Sequence, residues 1–109
     1  MKRGFDRTQR VGDLIQKALA PMLLQEFGLV TVTSVTLSRD LSYAKVYVSV
    51  LVDEPDKIKS TVDALNQSAK AFRFQLAKAV KLRIVPELRF VYDESTAYGF
   101  KIRNLLNKE

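Results

Sequence analysis

The stretch "VTVTSVTLSRDLSYAKVYVSV" (residues 30–50) decides the fold. In its second half Ala44, Val46, Val48 and Val50, continued by Val52, share one parity, while Tyr43, Lys45, Tyr47 and Ser49 take the other. Strict alternation over that length is the pattern of a strand buried on one face. The first half is β-branched at nearly every position, but its phase slips. Val30 and Val32 share a face, whereas Val35 and Leu37 have the opposite parity. One extra residue near Thr33–Ser34, a β-bulge, returns all four to the same side. With "RDLS" (39–42) as the turn, the stretch is a β-hairpin.

The flanks have helical periodicity. Upstream, Val11, Leu14, Ile15, Ala18, Leu19, Met22 and Leu23 form one apolar stripe. Asp6 or Thr8 is placed to cap its first turn, Pro21 predicts a kink or loosened turn, and Gly28 ends it. Downstream of Pro55 the apolar residues are Ile58, Val62, Leu65, Ala69, Phe72, Leu76 and Ala79. One helix over 56–82 would be about 40 Å long, more than so small a domain covers, so a break is expected within "NQSAK" (66–70). Pro86 bars further helix. "ELRFVY" (87–92) then alternates Leu88, Phe90 and Tyr92 with Glu87, Arg89 and Val91, a third strand. Ile84, Leu88 and Phe90 are expected to tie that strand to the core. "TAYGFKIRNLLNKE" (96–109) offers Ile102, Leu105 and Leu106 to a short helix or tail. The order α-β-β-α-α-β gives an α+β fold, a three-stranded sheet with helices on one face.

Composition narrows the function. A chain of 109 residues forms one domain, and its 47% hydrophobic content is enough for a core. No apolar run has the length of a membrane span, and "MKRGFDRTQR" contains no signal-peptide stretch. The absence of cysteine is consistent with a reducing, cytoplasmic setting. The absence of histidine removes the usual general base and the commonest transition-metal ligand. Four glycines form no phosphate-cradling loop. Asp53, Glu54 and Asp56 cluster before a helix, where a solvated loop and the helix dipole account for them. No catalytic residue, metal, cofactor or small-molecule substrate is expected.

Charge points elsewhere. The net charge is +6. Residues 1–10 hold Lys2, Arg3, Arg7 and Arg10 against Asp6, a net of +3. Residues 70–89 hold Lys70, Arg73, Lys78, Lys81, Arg83 and Arg89 against Glu87, a net of +5. The rest of the chain therefore carries −2. Lys70, Arg73, Lys78 and Lys81 can share a broad helix side, with no acidic residue between Lys70 and Arg83 to balance them. A basic face of that kind suits a phosphate backbone. Charge reversal at Lys70 and Arg73 together should then weaken binding and leave thermal unfolding almost unchanged. On the sheet, Tyr43, Lys45 and Tyr47 resemble a base-stacking surface, although tyrosine on an open strand face is also ordinary.

Three stretches carry a family resemblance: "FDRTQRVGDLIQKALAPML" (5–23), the hairpin above, and "LRIVPELRFVYDES" (82–95). In order and spacing the chain resembles bacterial ribosome-binding factor A over nearly its whole length. The resemblance implies a KH-like fold of the second type, with residues 1–94 as the RNA-binding domain and 95–109 as a C-terminal helix or tail. It also implies a monomeric, non-catalytic assembly factor in the cytoplasm. Such a factor binds the free small (30S) ribosomal subunit and its rRNA, assists late 16S rRNA maturation and supports growth in the cold. The candidate RNA contacts are Arg7, Arg10, Arg39, Lys45, Lys70, Arg73, Lys78, Lys81 and Arg83. The alternative is a protein-binding module or small-subunit component whose basic face is incidental.

Two departures from the family stand out. Typical members have an Ala-x-Gly kink between the central helices, where this chain has Ser68, Ala69 and Lys70. Without glycine the bend should use right-handed dihedrals, because a left-handed residue costs roughly 1–2 kcal/mol when it is not glycine. Many members also carry a longer charged C-terminal tail, whereas this sequence stops at Glu109.

Overall fold

The hairpin forms as its pattern requires. In the computed structural model, which describes residues 7–95, β1 (Val30–Leu37) and β2 (Tyr43–Val50) pair antiparallel. Their register steps from Val32↔Val48 to Ser34↔Tyr47, so Thr33 is the extra residue and the expected bulge is present. The bulge gives Thr33 work of its own. Its hydroxyl donates to Asp93 Oδ2 at 2.6 Å, and its carbonyl and that of Val32 accept from Gln16 Nε2 at 3.4 and 3.3 Å.

The third strand, β3 (Glu87–Tyr92), runs parallel to β2 on the side away from β1, from Tyr43↔Glu87 to Val48↔Tyr92. A parallel neighbour needs a long crossover. Here it consists of α2 (Pro55–Gln67) and α3 (Ala69–Ala79), while α1 (Arg7–Phe27) packs on β1. The inward face of the sheet is buried at Val30, Val32, Ala44, Val46, Val48, Val50, Leu88 and Phe90 and half-buried at Val35, Leu37 and Tyr92. Ile15, Leu19 and Leu23 of α1, Leu65 of α2, and Phe72 and Leu76 of α3 close over them. Phe72 meets Phe90 edge to face at 5.8 Å, a favourable aromatic geometry. The opposite sheet face carries exposed Tyr43, Lys45 and Arg89 with half-buried Tyr47 and Val91, so among the described residues the helices cover one face.

Local devices explain the boundaries. Gly12 lets α1 lie against β1: a Cβ there would sit 3.1 Å from the Val35 carbonyl oxygen. Gly28 ends α1 at φ 79°, its N–H donating to Leu24 O at 2.8 Å, a left-handed stop that glycine adopts at little cost. Thr8 lies inside α1 and so is not its cap, and Asp6 is outside the described residues. The helix runs on through Pro21, which is exposed, so the carbonyl left without a partner can turn to water.

The break between α2 and α3 falls at Ser68, inside the expected window. Ser68 has φ −96° and ψ 7°, and its N–H is shared between Ala64 O and Leu65 O at 3.1 Å. No side-chain cap bond and no positive φ is involved, so right-handed dihedrals make the break without glycine. Two expectations fail after it. The α3 helix stops at Ala79 because Val80 is already extended, so Lys81 is not on a helix. Ile84 is 45% exposed and does not anchor β3, whose buried members are Leu88 and Phe90. The proposed element at 96–109, together with Lys2 and Arg3, lies outside the described residues.

Candidate nucleic-acid interface

The β1–β2 turn is held by one carboxylate. Asp40 Oδ1 accepts from Ser38 Oγ (2.8 Å), Ser42 Oγ (2.8 Å) and the Ser42 N–H (3.1 Å). The bonds from Ser42 and Ser38 hold the Asp40 carboxyl below its ordinary pKa, because they favour the ionised form. Next to it Leu41 adopts φ 65°, the one positive φ among described non-glycine residues. Leucine in that conformation is uncommon, and such strain clusters at functional sites.

This turn forms one wall of an open groove of about 530 Å³. Arg7 and Val11 from the first turns of α1 form a second wall, and Leu82, Arg83 and Ile84 from the α3–β3 connection form a third. Arg39, Asp40 and Leu41 complete the lining. Three of the candidate cations, far apart in sequence, thus share one lining with Val11, Leu41, Leu82 and Ile84. Arg7, Arg39 and Arg83 are exposed and make no hydrogen bond or ion pair among the described residues. Asp40 does not neutralise them by direct pairing, since its bonds go to serines.

The other candidates lie elsewhere. Arg10 is exposed one turn along α1 from Arg7 and does not line the groove. Lys45 sits on the open sheet face, in register with Arg89. Lys70 and Lys78 are exposed on α3, and the Lys78 ammonium lies 4.6 Å from the ring centre of Phe74, itself 64% exposed. Lys81 is exposed in the connection beyond α3. Arg73 is not a free cation: its Nε and Nη2 donate to the Val85 carbonyl at 3.2 and 2.8 Å. The single basic helix face expected from spacing is therefore divided, with Lys70 and Lys78 on α3 and Arg83 turned to the groove. Leu41, Leu82 and Ile84 were missed as site residues. The one available signal was leucine at a turn position where glycine or asparagine is usual.

Among the described residues no group of acidic side chains could hold a metal ion, and no helix is long and apolar enough to cross a membrane.

A three-stranded mixed sheet in the order α-β-β-α-α-β, with its helices on one face, is the KH-like architecture of the second type. The chain belongs to the ribosome-binding factor A family, whose sequence model matches residues 7–106. It is similar to ribosome-binding factor A of Shewanella amazonensis, at 43% identity over 99% of this chain and 82% of that one. A solution NMR structure of a Thermotoga maritima protein, described as a putative ribosome binding factor A, has 38% identity and a TM-score of 0.69, covering 80% of this chain and 87% of that one. A Thermus thermophilus ribosome binding factor A homology model, fitted into a cryo-EM map of a 30S–RbfA complex, has 28% identity and a TM-score of 0.63 over 76% and 91%.

Proposed function

We propose that this protein is a non-catalytic assembly factor that binds the free small (30S) ribosomal subunit through its rRNA and assists late maturation of 16S rRNA. The convergence of Arg7, Arg39 and Arg83 in one groove carries this reading. Three exposed guanidiniums that line one groove with no partner among the described residues repel one another, and a phosphate backbone offsets that cost while gaining charge-assisted hydrogen bonds. Kinship with a factor fitted into a 30S complex indicates which polyanion is meant. In this reading residues 1–94 act as the RNA-binding domain and 95–109 as an appended helix or tail. The protein acts as a monomer in the cytoplasm, uses no cofactor and supports growth in the cold.

Co-sedimentation at moderate salt tests the proposal. The full chain should travel with free small subunits and not with mature ribosomes. The triple variant Arg7→Ala, Arg39→Ala, Arg83→Ala should remain folded and stay at the top of the gradient. Equal recovery of the triple variant with small subunits would reject the groove as the contact.

A further inference from the structure

The groove contains more than a phosphate site requires. Phosphate recognition needs cations and donors, and exposed arginines on a polar surface would supply them. Here the three guanidiniums share the lining with apolar side chains from three separate segments, Val11, Leu41, and Leu82 with Ile84, and Leu41 is held at φ 65°. Ile84 is left 45% exposed beside Pro86, which is buried. An exposed isoleucine and a strained leucine flanked by arginines gain nothing from water. Both are accounted for if something flat, apolar on its face and anionic at its edge lies on them.

We propose that this groove seats one unpaired nucleotide of an RNA strand, its phosphate held by Arg7, Arg39 and Arg83 and its base lying on Leu41, Leu82 and Ile84. The inference rests on the RNA-binding reading above and goes further, because it specifies an extruded or single-stranded nucleotide and not a helical backbone. A volume of about 530 Å³ falls within the range of roughly 300–1,000 Å³ typical of sites that take one small ligand. Bases inside a duplex present only their edges, so a base can reach an apolar floor with its face only after leaving the stack. The required unstacking costs least at bulges, loops and strand ends, which selects those sites. The apolar residues thus give the groove a preference among RNA shapes that three arginines alone would lack.

The test uses the full chain and three hairpin RNAs of equal length: fully paired, with a one-nucleotide bulge, and with the bulged residue made abasic. The bulged hairpin should bind up to about tenfold more tightly than the other two, as burial of one base face against aliphatic side chains provides. Ile84→Ser, a neutral change at an exposed position, should bring the ratio of bulged to paired affinity close to one. Arg83→Ala should weaken binding to all three. Equal affinity for the bulged and abasic RNAs would overturn the seating of a base, as would an unchanged preference in Ile84→Ser. Protection of the groove arginines by adenosine monophosphate but not by bulged RNA would overturn the strand reading in favour of a free nucleotide. The outcome is independent of co-sedimentation. A bulge preference without small-subunit binding supports the groove and rejects the assembly role, and subunit binding without the preference does the reverse.

Discussion

Arg73 reaches from α3 to grip the backbone carbonyl of Val85 with two hydrogen bonds, at 3.2 and 2.8 Å. The guanidinium fork suits this geometry and a lysine ammonium does not. The bonds fix the connection that carries Lys81, Leu82, Arg83 and Ile84, so Arg73 positions one wall of the groove. Arg73→Ala should therefore lower stability by about 1 kcal/mol, or about 4–8 °C in Tm for a domain of this size. Arg73→Lys should not restore it. Lys70→Glu should leave Tm nearly unchanged and weaken RNA binding alone. Thermal unfolding of the three variants checks this. Charge reversal at both positions is therefore expected to lower stability, through loss of the Arg73 bonds to Val85.

Asn66 serves β3 as a further strand would. Its Nδ2 donates to Phe90 O at 2.9 Å and its Oδ1 accepts the Phe90 N–H at 2.8 Å, satisfying the edge of β3 turned away from β2. Asn66→Ala should leave both backbone groups unpartnered and cost about 1–3 kcal/mol. Asn66→Asp should be nearly as damaging at neutral pH, because a carboxylate cannot donate to the Phe90 carbonyl. Denaturant titration measures both.

RNA binding should follow salt steeply. If about five phosphates are neutralised, log affinity falls against log salt with a slope of roughly −4 to −5. Tyr47→Ser, on the open sheet face, should change affinity by less than about 1 kcal/mol, the lower end for a stacked base. A larger loss with the fold intact would place the RNA on the sheet and not in the groove.

The Asp40 turn has a defined pH response. The Asp40 pKa is depressed in the folded state, chiefly by the hydroxyl of Ser42 and then by that of Ser38. Its contribution is therefore complete above the ordinary aspartate range and fades as pH falls through the lower folded value. An NMR titration of the Asp40 carboxyl carbon should show a midpoint below that of a free aspartate. In Ser42→Ala the midpoint should move back up.

The elements were legible because their causes are local. Alternation from Ala44 to Val50 marked β2, the parity slip between Val32 and Val35 located the bulge at Thr33, and the polar "NQSAK" contained the break at Ser68. The groove was not legible as a unit. Arg7, Arg39 and Arg83 are each visible as basic residues, but no period or spacing brings residues so distant in sequence together; the packing of α1 on β1 and the return of β3 beside β2 do so. Arg73 escaped for a related reason. Helical spacing shows which side of α3 it shares, and nothing in that spacing shows that Val85 O lies within reach. Ile84 looked like core because it is apolar near a strand, yet Pro86 and Leu88 occupy the interior there.

The parallel placement of β3 also sets the order in which the molecule can be assembled. The β1–β2 hairpin closes over a turn of a few residues, whereas β3 must come back across residues 51–86 before it can pair with β2. Closing the longer loop costs more chain entropy, so that contact forms after the local ones. The wall bearing Leu82, Arg83 and Ile84 is part of this late-arriving segment. Until β3 has returned, the β1–β2 turn with Arg39 and Leu41 has no opposite wall, and there is no groove. Because the groove needs all three segments, any partner that docks there would read, in effect, whether β3 has returned beside β2.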